Sequence, residues 1–119
     1  MPESEKGLGQ MLEHAMGAVY VQAKAPMLAV EVLAPHPGER VLDLCAAPGG
    51  KSIQIAARMQ NSGLLLLNEM RSKRMPSLVG NLERCGVANF VVSQAPGSML
   101  ARYFHNFFDR ILVDAPCSG

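Results

Sequence analysis

The feature that most constrains this chain is Leu64-Leu65-Leu66-Leu67, an apolar run without polar alternation, bracketed by Asn61-Ser62-Gly63 and Asn68-Glu69. A short run of that kind between turn residues suits a strand buried on both faces, and such strands belong to parallel sheets covered by helices. Arg40-Val41-Leu42-Asp43-Leu44, Phe90-Val91-Val92 and Arg110-Ile111-Leu112-Val113-Asp114 are of the same type. Between these runs the apolar spacing becomes helical, at Ile53, Ile55, Ala56 and Met59, and again at Met75, Leu78, Val79 and Leu82, where Cys85-Gly86 supplies a glycine stop. A third helix is expected within Met99 to Phe108. Strands alternating with helices predict an α/β fold of parallel βαβ units with right-handed crossovers. Upstream, Val21, Ala25, Leu28 and Val32 keep helical spacing and Pro26 suits a first helical turn, so a helix and no strand is expected before Arg40.

A chain of 119 residues supports one domain, and 49% hydrophobic with 18% charged residues excludes a disordered chain. Eleven Lys and Arg against ten Asp and Glu leave a net charge of +1, so no global basic field points to a polyanion. Cys45, Cys85 and Cys117 form no C-x-x-C pair and are odd in number, which fits a reducing, cytoplasmic setting. Met1 to Gly7 lacks the order of a signal peptide, and no apolar run is long enough for a membrane span. Methionine, present eight times, is expected as core filler.

In an open parallel sheet, ligands bind beyond the carboxyl ends of the strands. After the first of these runs comes Cys45-Ala46-Ala47-Pro48-Gly49-Gly50-Lys51, whose small side chains let backbone approach a ligand while Lys51 supplies a cation for a carboxylate or a phosphate. Cys45 stands where a Walker loop needs glycine, and G-x-G-x-x-G is absent, so nucleoside triphosphate and NAD are disfavoured. Glu69 follows the second run at about the offset, roughly twenty residues on, at which a carboxylate receives ribose hydroxyls. Asp114-Ala115-Pro116-Cys117 sets a carboxylate and a thiol over the same cleft, able to address a heteroaromatic ring. His14, His36 and His105 have no metal-ligand spacing, and no metal is expected.

Asp43-Leu44-Cys45-Ala46-Ala47-Pro48-Gly49-Gly50-Lys51, together with Asp114-Ala115-Pro116-Cys117-Ser118-Gly119, resembles the Sun-type (Nol/Nop/Sun) family of S-adenosylmethionine-dependent RNA 5-methylcytosine methyltransferases, in particular its bacterial ribosomal RNA branch. Tyr20-Val21-Gln22 is similar to the family's lead into its catalytic domain, so the resemblance runs from about Gly17 to the last residue. It implies a Rossmann-like methyltransferase sheet, mostly parallel and cut off after its fourth strand, preceded by a polar segment at 1–16, with 17–119 as the front, cofactor-binding half of the domain. It implies S-adenosyl-L-methionine as cofactor, with Cys45, Ala46, Ala47, Pro48, Gly49, Gly50 and Lys51 around its methionine end, Glu69 on its ribose, and Asp114 facing both cofactor and target cytosine. Cys117 is similar to the family cysteine that assists product release; the family's nucleophile is a second, downstream cysteine, which these 119 residues do not contain, so the isolated chain is expected to be inactive. Asp114 and Cys117 are therefore the expected catalytic residues, and RNA, in particular ribosomal RNA, the expected partner.

Two departures from the family pattern stand out: Pro96-Gly97 replaces an Asp-Gly that reaches the adenine, and Ala23 replaces a glutamate. Proline offers neither a side-chain acceptor nor an N–H. Pro96 and the absent downstream cysteine keep open a degenerate, non-catalytic methyltransferase-like module serving RNA processing or assembly. The run Ile111-Leu112-Val113 is expected to be an exposed apolar sheet edge, which would drive self-association or call for a missing polypeptide.

Overall fold

A computed structural model of the chain describes residues 19–23, 26–44, 50–104 and 106–114. In chain order the elements are β1 (Val19–Ala23), α1 (Pro26–Leu33), β2 (Arg40–Leu44), α2 (Gly50–Met59), β3 (Leu64–Asn68), a 3-10 turn (Ser72–Arg74), α3 (Met75–Arg84), β4 (Phe90–Ser93), α4 (Gly97–Tyr103) and β5 (Arg110–Asp114). The strands form one five-stranded sheet in the order β1-β5-β2-β3-β4, and every pairing is parallel. The segment 1–16 lies outside the described residues.

Strand periodicity divides the core in two. Val41, Leu65, Leu67 and Leu112 face one side, where α1, α2 and α3 close over them with Leu33, Ile55, Met59, Leu78 and Leu82. Leu42, Leu44, Leu66, Ile111 and Val113 face the other, against Leu100 of α4 and Phe108. Both faces of β2, β3 and β5 are thus covered, which explains why their sequences lack alternation. The methionines do not behave uniformly: Met59 is buried, whereas Met70 and Met99 are exposed.

The amino end of the sheet is tightly stitched. Arg110 donates from Nε to Glu39 Oε1 at 2.8 Å and from a terminal nitrogen to the Leu33 carbonyl at 3.0 Å, while Arg40 N–H donates to the Asp109 carboxylate at 2.8 Å. Gly63 has φ +94°, and a Cβ there would stand 2.3 Å from the Glu39 carbonyl oxygen, so only glycine allows this approach. Burial pushes the Glu39 carboxyl up, but the hydrogen bonds from Arg110 and His36 N–H, with the Arg110 charge, hold it below the usual glutamate range.

Two expectations are corrected. Val19–Ala23 is a strand, where helical spacing had predicted none, because it pairs along its whole length with β5, from Val19 opposite Arg110 to Ala23 opposite Asp114. The expected exposed edge at Ile111-Leu112-Val113 is absent: β5 lies between β1 and β2, and the sheet's edges are β1 and β4. Strand order is non-local, so the apolar run revealed burial without revealing which neighbours supply it. The premise for self-association through β5 falls with that edge.

Candidate functional site

The chain runs from β2 outward through β3 to β4, then returns to place β5 on the other side of β2. The helices after β2 and β3 cover one face and α4 the opposite one. The order therefore reverses between β2 and β5, and the crevice outside the carboxyl ends of those two strands is where such sheets bind ligands. Leu44 pairs with Val113, so the carboxyl ends of β2 and β5 lie side by side, one strand spacing of about 4.8 Å apart.

All the sequence-derived candidates that can be followed converge on this end. Gly50 and Lys51 open α2, and a Cβ built on Gly50 would meet nothing within 4 Å, so space lies open beside the start of the helix. Asp114 is the last residue of β5. Glu69 follows β3 directly and is only 3% exposed; its Oε2 accepts the Arg71 N–H at 2.9 Å, which fixes the carboxylate at the strand tip. Cys45, Ala46, Ala47, Pro48 and Gly49 fall outside the described residues, as does Cys117.

Two polar residues that sequence reasoning gave no role help build this end. Asp43 is 1% exposed within β2, and its carboxylate accepts the Ser52 hydroxyl at 2.8 Å. This buried bond ties the end of β2 to the first turn of α2, bracketing the small-residue loop. An aspartate inside an otherwise apolar strand was the available signal, since a buried carboxylate demands partners. Asn68 pairs with Ala95 in both directions, donating to its carbonyl at 3.0 Å and accepting its N–H at 2.9 Å, and also accepts the Ser93 hydroxyl at 2.9 Å. Gln94 donates to the Met70 carbonyl at 3.0 Å and to Ser72 Oγ at 2.8 Å, so the loops after β3 and β4 are locked together. Pro96 is the N-cap residue just before α4, and its carbonyl accepts from the N–H groups of Met99 and Leu100.

Among the described residues no helix is long and apolar enough to cross a membrane, and no cluster suited to a metal ion occurs. A groove lined by Ile53, Ala56, Cys85 and Val87 lies at the amino end, away from the convergence.

A parallel sheet with this order reversal and an acid at the tip of β3 is a Rossmann-like arrangement, and its class is that of the methyltransferases: a methyltransferase homologue from Pyrococcus horikoshii superposes with TM-score 0.70 at 36% identity, over 90% of this chain and 35% of that one. The family profile described as 16S rRNA methyltransferase RsmB/F matches residues 30–119, and the chain belongs to that family. Among curated proteins it is 46% identical to the 26S rRNA (cytosine-C(5))-methyltransferase nsun-1 of Caenorhabditis elegans, over 98% of this chain and 18% of that protein. It is 44% identical to ribosomal RNA small subunit methyltransferase F of Salmonella newport, over 94% of this chain and 24% of that protein. The chain thus spans under a quarter of these relatives' length, and similarity extends to eukaryotic as well as bacterial members.

Proposed function

We propose that this chain is the S-adenosylmethionine-binding portion of a ribosomal RNA cytosine-5 methyltransferase. The observation that carries the reading is the convergence of Gly50, Lys51, Glu69 and Asp114 on the carboxyl end of one sheet, around the β2/β5 reversal. The residues fit the cofactor chemically: open space beside Gly50, a cation next to it for a carboxylate, and an anchored carboxylate one strand over for vicinal hydroxyls. When bound, the cofactor supplies a sulfonium-activated methyl group.

Cys45 to Lys51 hold the methionine end, with Lys51 opposite its carboxylate. Glu69 accepts hydrogen bonds from the ribose, the more effectively because Arg71 N–H already orients it. Asp114 faces the target pyrimidine, where a carboxylate accepts a ring or exocyclic N–H. Cys117 contributes a thiol for release of the modified base. The Asp43–Ser52 bond holds both ends of the loop in register with the strand that bears it. Cytoplasmic action fits Cys85, a free and exposed thiol.

Calorimetric titration with S-adenosylmethionine tests the reading: saturable binding is expected, abolished or strongly weakened in Glu69→Ala. No binding at millimolar cofactor would instead support a non-catalytic RNA-processing or assembly module, the alternative that Pro96 at the start of α4 keeps in play.

A further inference from the structure

The turn between β3 and α3 carries Arg71, Lys73 and Arg74, all exposed, and the chain has no Asp or Glu between Glu69 and Glu83. These cations do nothing for the helix they precede. They sit at the positive end of the α3 dipole, where acidic residues would stabilise, and neither the 3-10 turn nor α3 has a side-chain cap or an acidic first turn. Cations at the amino end of the sheet are engaged differently: Arg110 with Glu39, and Arg58 with Glu31. Lys73 and Arg74 make no ion pair with any described residue. The turn is also held still, by Arg71 N–H on Glu69 and by Gln94 on Met70 and Ser72, and Met70 beside it is an exposed apolar side chain. A fixed, acid-free basic turn on the ligand-binding edge matches a polyanion that must lie across that edge.

We infer that the turn Met70–Arg74 is a landing surface for the phosphodiester backbone of RNA, with Lys73 and Arg74 each neutralising a phosphate. The inference rests on the proposed RNA substrate and adds where the backbone runs: along the β3 side of the cofactor crevice, outside the edge of the ribose site.

The test is fluorescence anisotropy of the chain with a labelled single-stranded RNA across a salt series, comparing the parent with Lys73→Gln/Arg74→Gln and with Arg58→Gln as a control cation from the amino end. For single strands each phosphate contact contributes about 0.7 to the slope of log affinity against log salt, so the double variant should lose about 1.4 from the slope and bind roughly 20-fold more weakly near 0.1 M salt. Arg58→Gln should leave the slope unchanged. Calorimetry with S-adenosylmethionine on the same samples should give equal cofactor affinity for all three proteins. A double variant with the parent's slope overturns the inference and leaves the proposed function standing. A parent that binds cofactor but no RNA overturns it too, whereas a parent that binds neither takes the proposed function with it. Loss of adhesion to phosphatidylserine vesicles with RNA binding retained would assign the turn to a lipid surface, also overturning it.

Discussion

The two ends of the sheet are built from the same strands and spend their polar residues differently. At the amino end the described charged groups close on one another: Glu39 on Arg110 and His36 N–H, Asp109 on Arg40 N–H, with Gly63 pressed against the Glu39 carbonyl. At the carboxyl end the bonds fasten neighbouring elements, Asp43 of β2 to Ser52 of α2 and Asn68 of β3 to Ala95, beside a strand-tip carboxylate and a basic turn. On the proposed function, the first end serves stability and the second a ligand. Substitutions at the first should therefore move unfolding and spare binding, and substitutions at the second should do the reverse.

The largest effect is expected at Gly63. Gly63→Ala forces a Cβ into the Glu39 carbonyl at a positive φ and should cost about 2–4 kcal/mol in urea unfolding, with unchanged cofactor affinity in the folded fraction. An affinity loss as large as the stability loss would break the division. Glu69→Ala should show the opposite pattern, weakening S-adenosylmethionine by about 1.5–3 kcal/mol, the value of hydrogen bonds to a charged group, with a smaller change in stability. Titration calorimetry paired with a thermal melt separates the two.

Ser52→Ala sharpens the comparison because it removes a structural bond from the ligand end. The buried Asp43 carboxylate loses its hydroxyl donor, which should cost about 1–3 kcal/mol of stability, and Ser52→Thr should recover most of it. If the bond also positions the loop, Ser52→Ala weakens cofactor binding and Ser52→Thr restores it; a stability change alone would assign the pair to the core.

How much of this was legible in the sequence depended on whether the cause was local. Leu64–Leu67 and Arg110–Asp114 could be read as strands because burial on both faces removes alternation, a property each segment shows by itself. Val19–Ala23 could not, since its pattern continues into the helical spacing of α1 and its strand character comes from pairing with β5, roughly ninety residues away. The same non-locality misled the reading of β5 as an edge. The shared position of Lys51, Glu69 and Asp114 at the carboxyl end of the sheet was legible, because the end of a parallel strand is itself an address; the roles proposed for them rest on that position. Asn68 was not, because its role is to hold a loop that only the β3/β4 register brings near. Exposure of Met70 and Met99 was equally invisible to a composition argument that treats methionine as filler.

The smallest effect is the acid response of the amino end. Glu39 titrates below its ordinary range in the folded chain, so its contribution is fully present above the unfolded value and is lost as pH falls through the folded one. Arg110→Met should remove about 1 kcal/mol at neutral pH and flatten the decline of stability in acid, as seen by urea unfolding across a pH series. A parent and variant that decline in parallel would place the acid sensitivity elsewhere.

The central claim, that the carboxyl end around the β2/β5 reversal is the cofactor site, is tested most directly by amide chemical-shift mapping during titration with S-adenosylmethionine. Perturbations should concentrate at Gly50, Lys51, Glu69 and Asp114 and fade toward Glu39, Gly63 and Arg110. Shifts centred instead on the amino-end groove of Ile53, Cys85 and Val87 would contradict it.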